Sequence, residues 1–157
     1  MNDYDAILVA LRRITRAIDL HSKTLAKLTG LTTSQLVVMN AIRKIGEPSP
    51  SAIAKEVVLS QATVTSILDR LIAKNLVSKE KSQTDRRVVH VHLTDEGVAK
   101  LIDAPELLQS EFLRTYRELP SWQQHMLVAA LQQIAAMMNA EDIDASPVLD
   151  VGELTPH

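Results

Sequence analysis

Apolar positions near the start of the chain step by three and four. Tyr4, Ile7, Leu11, Ile14, Ile18, His21, Leu25 and Leu28 follow intervals of 3, 4, 3, 4, 3, 4 and 3. That is the narrow seam of one long helix built to lie along another helix. Gly30 suits its C-terminal stop. A second helix, capped by Thr32 or Thr33, carries Leu36, Val37, Met39, Ile42 and Ile45 and ends at Gly46. After the Glu47-Pro48 turn, Ser49-Pro50 gives an N-cap followed by proline at the first helical position. Ile53, Ala54, Val57 and Val58 are the expected buried side of this short helix. Leu59-Ser60 breaks it, and Ser60 caps the next helix, over about 61–74. Asn75 stops that helix by tolerating a left-handed backbone.

The period then shortens. Leu76–Lys81 alternates moderately and Val88–Leu93 alternates clearly, with Val89, Val91 and Leu93 on one face. Around Ser82–Arg87 the two make a hairpin. Thr94-Asp95-Glu96 opens a further helix with a cap and acids in its first turn. Its stripe is Val98, Leu101, Leu108, Phe112 and Leu119, and Pro105 within it should kink or split the helix. Pro120-Ser121 restarts a last helix carrying Met126, Leu127, Ala130, Leu131, Ile134, Met137 and Met138. Trp122 and Met126 read as packing. Residues 140–157 form an acidic tail with Pro147, Gly152 and Pro156.

At 157 residues, with 46% hydrophobic residues and 3% aromatics, the chain suits one mostly α domain packed with aliphatic side chains. It has no cysteine, which excludes disulfides, thiolate metal sites and a cysteine redox switch. The basic residues near the start follow apolar ones instead of preceding an apolar run, and no stretch approaches 18 uninterrupted apolar residues. A cytoplasmic protein with no membrane contact is expected. The net charge of −2 hides an asymmetry. Residues 1–100 carry 15 Lys+Arg against 10 Asp+Glu, and residues 101–157 carry 2 against 9. Arg70 to His90 holds six bases and two acids, a local field suited to phosphate.

Helix 61–74 places Val64, Ile67, Leu68 and Leu71 on one side. The other shows Ala62, Ser66 and Asp69, flanked by Thr63, Thr65 and Arg70. Short hydroxyl side chains let a helix approach a groove floor closely. On the helix alone, a solvated face and a DNA-reading face stand as equal readings. His90 and His92 share a strand face at a metal-ligand spacing, but no cysteine completes a set, so no metal is expected. His21, the one polar seam residue, is either a hydrogen-bonded interface histidine or a ligand contact. No nucleophile-base pair or glycine-rich phosphate loop is present, and His125 stands alone. No enzyme, catalytic residue or cofactor is expected.

The order helix, helix, helix-turn-helix, hairpin, two long helices resembles the MarR family of winged-helix transcription regulators, over about residues 5–139. The specific segments are Asp85-Arg86-Arg87 leading through the strand into Leu93-Thr94-Asp95-Glu96-Gly97, and Ser60 to Thr65 with Leu68-Asp69-Arg70-Leu71. Asn75 stands where many members have glycine. The first helix also looks like the branch that controls compatible-solute genes.

The resemblance implies a mostly α winged helix-turn-helix with a small β-hairpin wing and a helical dimerisation region. The single domain would span 1–139, with a DNA-binding lobe over about 31–94 and dimerisation helices over about 4–29 and 95–139. Arg87 would enter the minor groove with Asp85 holding its guanidinium, and Arg86 would contact phosphate or sugar. Gln61, Thr63, Thr65 and Ser66 would meet the major groove or its phosphates, and Ser60 would cap the helix and touch the DNA backbone. Asp69 and Arg70 would pair, or reach phosphate. The implied protein is a homodimeric repressor of a pseudo-palindromic operator on double-stranded DNA. A small-molecule effector or osmotic signal would release it, with His21 and Met39 as candidate contacts; a member without ligand response is the other option. The rival reading is a winged-helix adaptor that binds proteins and not DNA.

Overall fold

The computed structural model describes residues 2–143, which form two compact units, 2–105 and 106–143. Of the acidic tail, residues 144–157 lie outside the described residues.

The first unit opens with α1 (Asp3–Thr29). Asn2 caps it by accepting from Asp5 N–H at 3.0 Å, and Gly30 ends it at φ 70°. A long helix forms as the seam predicts. Among the described residues, however, those of α1 that are buried are only Ser22, Leu25 and Thr29. Most of the seam is open: Tyr4, Ile7, Ile14, Ile18 and Leu28 are exposed. The first unit covers only the C-terminal end of α1, where Ser22 Oγ and Thr33 Oγ1 meet at 2.9 Å.

Thr32, not Thr33, caps α2 (Thr33–Ile45). Thr32 Oγ1 accepts from Gln35 N–H, and Gln35 Oε1 accepts from Thr32 N–H at 3.1 Å, a reciprocal capping box. Ser49 caps α3 (Pro50–Val57), with Pro50 where its missing N–H costs nothing. Ser60 caps α4 (Gln61–Ala73), accepting from Thr63 N–H at 3.1 Å. Asn75 takes φ 59° as expected. Strands β1 (Val77–Lys81) and β2 (Val89–Leu93) pair antiparallel, from Val77 opposite Leu93 to Lys81 opposite Val89. Val91 N–H donates to Pro48 O at 2.8 Å, anchoring the hairpin base on the α2–α3 turn. Thr94 caps α5 (Asp95–Asp103). Leu25, Leu36, Met39, Ile42, Ile53, Val64, Leu68, Leu71, Val77 and Val91 are fully enclosed and form the core, each contributing roughly 1.5–3 kcal/mol by burial.

Val58 departs from its expected place. It is the C-cap of α3 at φ 56°, ψ 46°, and its side chain is 73% exposed. The helix ends one residue early, and Leu59 takes the buried position. A β-branched residue in the left-handed region costs about 1–2 kcal/mol, and no core contact offsets it here. Val58→Gly should therefore stabilise the first unit by about 1 kcal/mol after the extra unfolded-state entropy of glycine is deducted. A urea titration should show a raised midpoint; an unchanged or lowered one would sink the strain argument.

Pro105 does split the predicted long helix, which becomes α5 and α6 (Leu108–Glu118). In the second unit, α6 and α7 (Ser121–Met137) are joined at Leu119-Pro120, and Gln124 Nε2 donates to Leu119 O at 2.8 Å. Neither helix holds a buried residue. Trp122 and Met126, read from the sequence as packing, are both mostly exposed, as are Leu131, Met137 and Met138. Their apolar surface has no cover among the described residues.

Candidate nucleic-acid interface

Helix α4 is fixed from one side. Val64, Ile67, Leu68 and Leu71 are buried in the first unit, which turns Gln61, Ala62, Thr65, Ser66, Asp69 and Arg70 outward. The spacing of three and four leaves no other choice once the apolar stripe is covered. Its outward polar groups differ in what they have left to offer. Thr65 Oγ1 donates to Gln61 O at 2.9 Å, so toward a ligand it offers lone pairs and a methyl group. Ser60 Oγ and Thr63 Oγ1 lie 2.7 Å apart, and Ser60 Oγ also accepts from Thr63 N–H. Both therefore help to build the helix start. Gln61 and Ser66 keep their side-chain hydrogen-bonding groups unspent among the described residues.

Asp69 meets Lys79 Nζ of β1 at 3.3 Å, tying α4 to the hairpin. Arg70 is exposed and lines a cavity of about 330 Å³ together with Gln35, Ala62, Thr63, Ser66 and Ile67. Gln35 comes from α2. The sequence reading missed it, because a glutamine in a first helical turn is an ordinary capping residue. The Thr32-x-x-Gln35 pattern signals its role in the cap but not its place beside α4.

The hairpin tip is a compact turn. Ser82 N–H donates to Val88 O at 2.8 Å, and Val88 N–H to Asp85 O at 2.9 Å. Ser82 Oγ and Thr84 Oγ1 lie 2.9 Å apart. Asp85 Oδ1 accepts from the backbone N–H of Arg87 at 3.0 Å. The carboxylate thus shapes the turn beneath Arg87; the resemblance had it holding the guanidinium. Arg86 and Arg87 are exposed, and neither joins an ion pair among the described residues. Two cations stand together at a tip whose one carboxylate is turned onto the backbone, and such a tip suits a narrow, negative groove.

The strand histidines are engaged within the unit. His92 Nε2 and Ser78 Oγ lie 2.6 Å apart, and His90 Nδ1–H donates to Glu47 O at 3.1 Å. No group of three His, Cys, Asp or Glu able to hold a metal occurs among the described residues. Of the candidate effector contacts, His21 is half-buried, while Met39 is fully enclosed. Met39 is a packing residue here and presents no surface to a ligand. No helix among the described residues is long and apolar enough to cross a membrane.

Comparison with known proteins agrees with this geometry. The MarR family model matches residues 31–89, from α2 through the hairpin tip. The HTH-type transcriptional repressor MdtR of Bacillus subtilis is 32% identical over 109 residues, 68% of this chain and 70% of that protein. Among solved structures, a MepR-like protein complexed with pseudoligands superposes with a TM-score of 0.63 at 22% identity, covering 88% of this chain and 97% of that one. BpsR of Bordetella bronchiseptica, whose DNA binding is regulated by 6-hydroxynicotinic acid, gives 0.58 at 26% identity, covering 83% and 98%.

Proposed function

Since the chain belongs to the MarR family of DNA-binding transcriptional regulators, we propose that it is a homodimeric repressor. It reads a pseudo-palindromic operator with α4 in the major groove and the hairpin tip in the minor groove. The observation that carries this reading is the joint placement of the two parts in one compact unit. An outward face of Gln61, Thr65, Ser66 and Arg70 shares that unit with a tip bearing Arg86 and Arg87. Phosphate contacts supply most of the affinity, so binding weakens steeply with salt. The retained arginine tip argues against an adaptor that has left DNA.

The uncovered apolar residues of α1, α6 and α7 support pairing of two copies. Half-site centres should then lie about 10 bp apart. A relative named as a repressor supports the sign of regulation. An effector fits the same reading. On α1, Arg12, Arg13 and Arg16 stand beside Val9, Ala17 and Leu20 on one open helix face. Cations beside apolar side chains suit a small aromatic acid, the class that BpsR answers to.

Enrichment of duplexes from a random pool tests the reading directly. A two-fold symmetric site should emerge, and 6-hydroxynicotinic acid added to that complex probes the effector class. In sedimentation equilibrium the protein should weigh twice its 17.3 kDa chain mass. Leu131→Glu, an exposed change in a single chain, should shift it to monomer and weaken operator binding at least about tenfold. A monomeric parent, or a pool with no enriched site, would contradict the proposal.

A further inference from the structure

Gln35 belongs neither to α4 nor to the hairpin, yet it is built like a binding residue. Its side chain is 4% exposed. Its Oε1 must face Thr32, because the backbone N–H there can only donate. That fixes the amide plane and turns Nε2 away from the cap. Nε2 makes no hydrogen bond among the described residues. Nor is it sealed off: the one fully enclosed side-chain N or O atom without a partner there is Ser34 Oγ. The open space available to it is the cavity that Gln35 lines with Ala62, Thr63, Ser66, Ile67 and Arg70.

The chemistry of that cavity is one-sided. It offers two amide donors, a guanidinium and hydroxyls able to donate, and no carboxylate lines it among the described residues. Gln35 stands in the first turn of the 13-residue α2, at the positive end of the helix dipole. A guanine edge would also take donors alone, but a full negative charge gains in addition from the guanidinium and from the positive end of the α2 dipole. We propose that the cavity seats one backbone phosphate of the operator, with Gln35 donating from α2 and Arg70 from α4. This rests on the reading of the chain as a DNA-binding regulator. It adds a contact outside the recognition helix and the wing that sets how α4 lies along its groove.

Gln35→Glu tests it cleanly. The variant keeps an acceptor for Thr32 N–H and suits a first helical turn, so the cap survives. Only the donors are lost, replaced by a negative charge facing the seat. Parent and variant are compared by thermal melting and by fluorescence titration on the duplex that the parent enriches. The titration is repeated on duplexes carrying one neutral methylphosphonate at each backbone position in turn. The proposal expects the variant to stay folded, its cooperative melt lowered only by the cost of a near-buried charge, and to lose about tenfold or more in affinity on the native duplex. It also expects one methylphosphonate position at which the two proteins bind alike. Equal binding on the native duplex, or a loss that persists at every position, overturns it. So does stabilisation of the parent alone by inorganic phosphate with equal duplex binding, which would mark a free-anion site. If the parent enriches no duplex, it is the regulator reading that falls, and the two failures are distinct.

Discussion

Gly97→Ala should destabilise the first unit by about 3 kcal/mol, although helix propensity alone predicts the opposite. Gly97 sits in the first turn of α5, where alanine is favoured by up to about 1 kcal/mol. The space decides the sign. A Cβ built on Gly97 would lie 2.1 Å from Leu76 O and 3.1 Å from Leu76 C. Those atoms are backbone, and Leu76 O already accepts from Thr94 N–H at 3.1 Å. Thr94 Oγ1 in turn donates to Asn75 O and accepts from Gly97 N–H. Relief of the clash requires the end of α4, the exit of β2 and the start of α5 to move together. A urea titration should show a clearly lowered midpoint. A variant as stable as the parent would mean that the junction gives way easily and that the close approach is incidental.

Arg87→Ala should lower operator affinity by about 1–3 kcal/mol, a loss of roughly five- to 150-fold. The side chain is exposed and makes no ion pair among the described residues, so its removal should leave folding untouched. The loss should be largest where the duplex beside the half-site is A·T-rich, since a narrow minor groove concentrates negative potential. Asp85→Ala should act in the same direction but more weakly. It keeps both guanidinium groups and removes only the acceptor that fixes Arg87 N–H at 3.0 Å. Fluorescence titrations at one fixed salt concentration check both variants. An Arg87→Ala curve that overlays the parent would falsify the wing assignment.

The elements that carry the reading were legible because short-range chemistry specifies them. Ser49, Ser60 and Thr94 are caps whose hydroxyls accept from the first turn of the helix that follows, and Asn75 marks a left-handed stop. The alternation through Val89, Val91 and Leu93 allows one strand face. The misreadings share a cause. Val57 and Val58 both fit a helical stripe, and only the packing of Leu59 decides where α3 ends. Asp85 beside two arginines suggests an ion pair, but a carboxylate two residues before a backbone N–H closes a turn at lower entropic cost. Met39 lies on the apolar side of α2 with Leu36 and Ile42, a pattern that points to packing, and it is fully enclosed. Gln35 was missed because its importance comes from α4 residues 27 to 35 positions further along the chain. For the seam of α1, periodicity calls for a partner helix but does not say which; among the described residues most of that seam stays open.

Lys74, just past the end of α4, donates from Nζ to Gly30 O, the residue that ends α1, at 3.0 Å. A cation there also favours the negative end of the α1 dipole. The outgoing ends of the reading helix and of the long seam helix are therefore lashed together. In the proposed pair of copies, a swing of α1 would carry α4 with it as a lever carries its tip. Such a pair would adjust its gauge, the span between two reading heads, and leave the shape of each head alone.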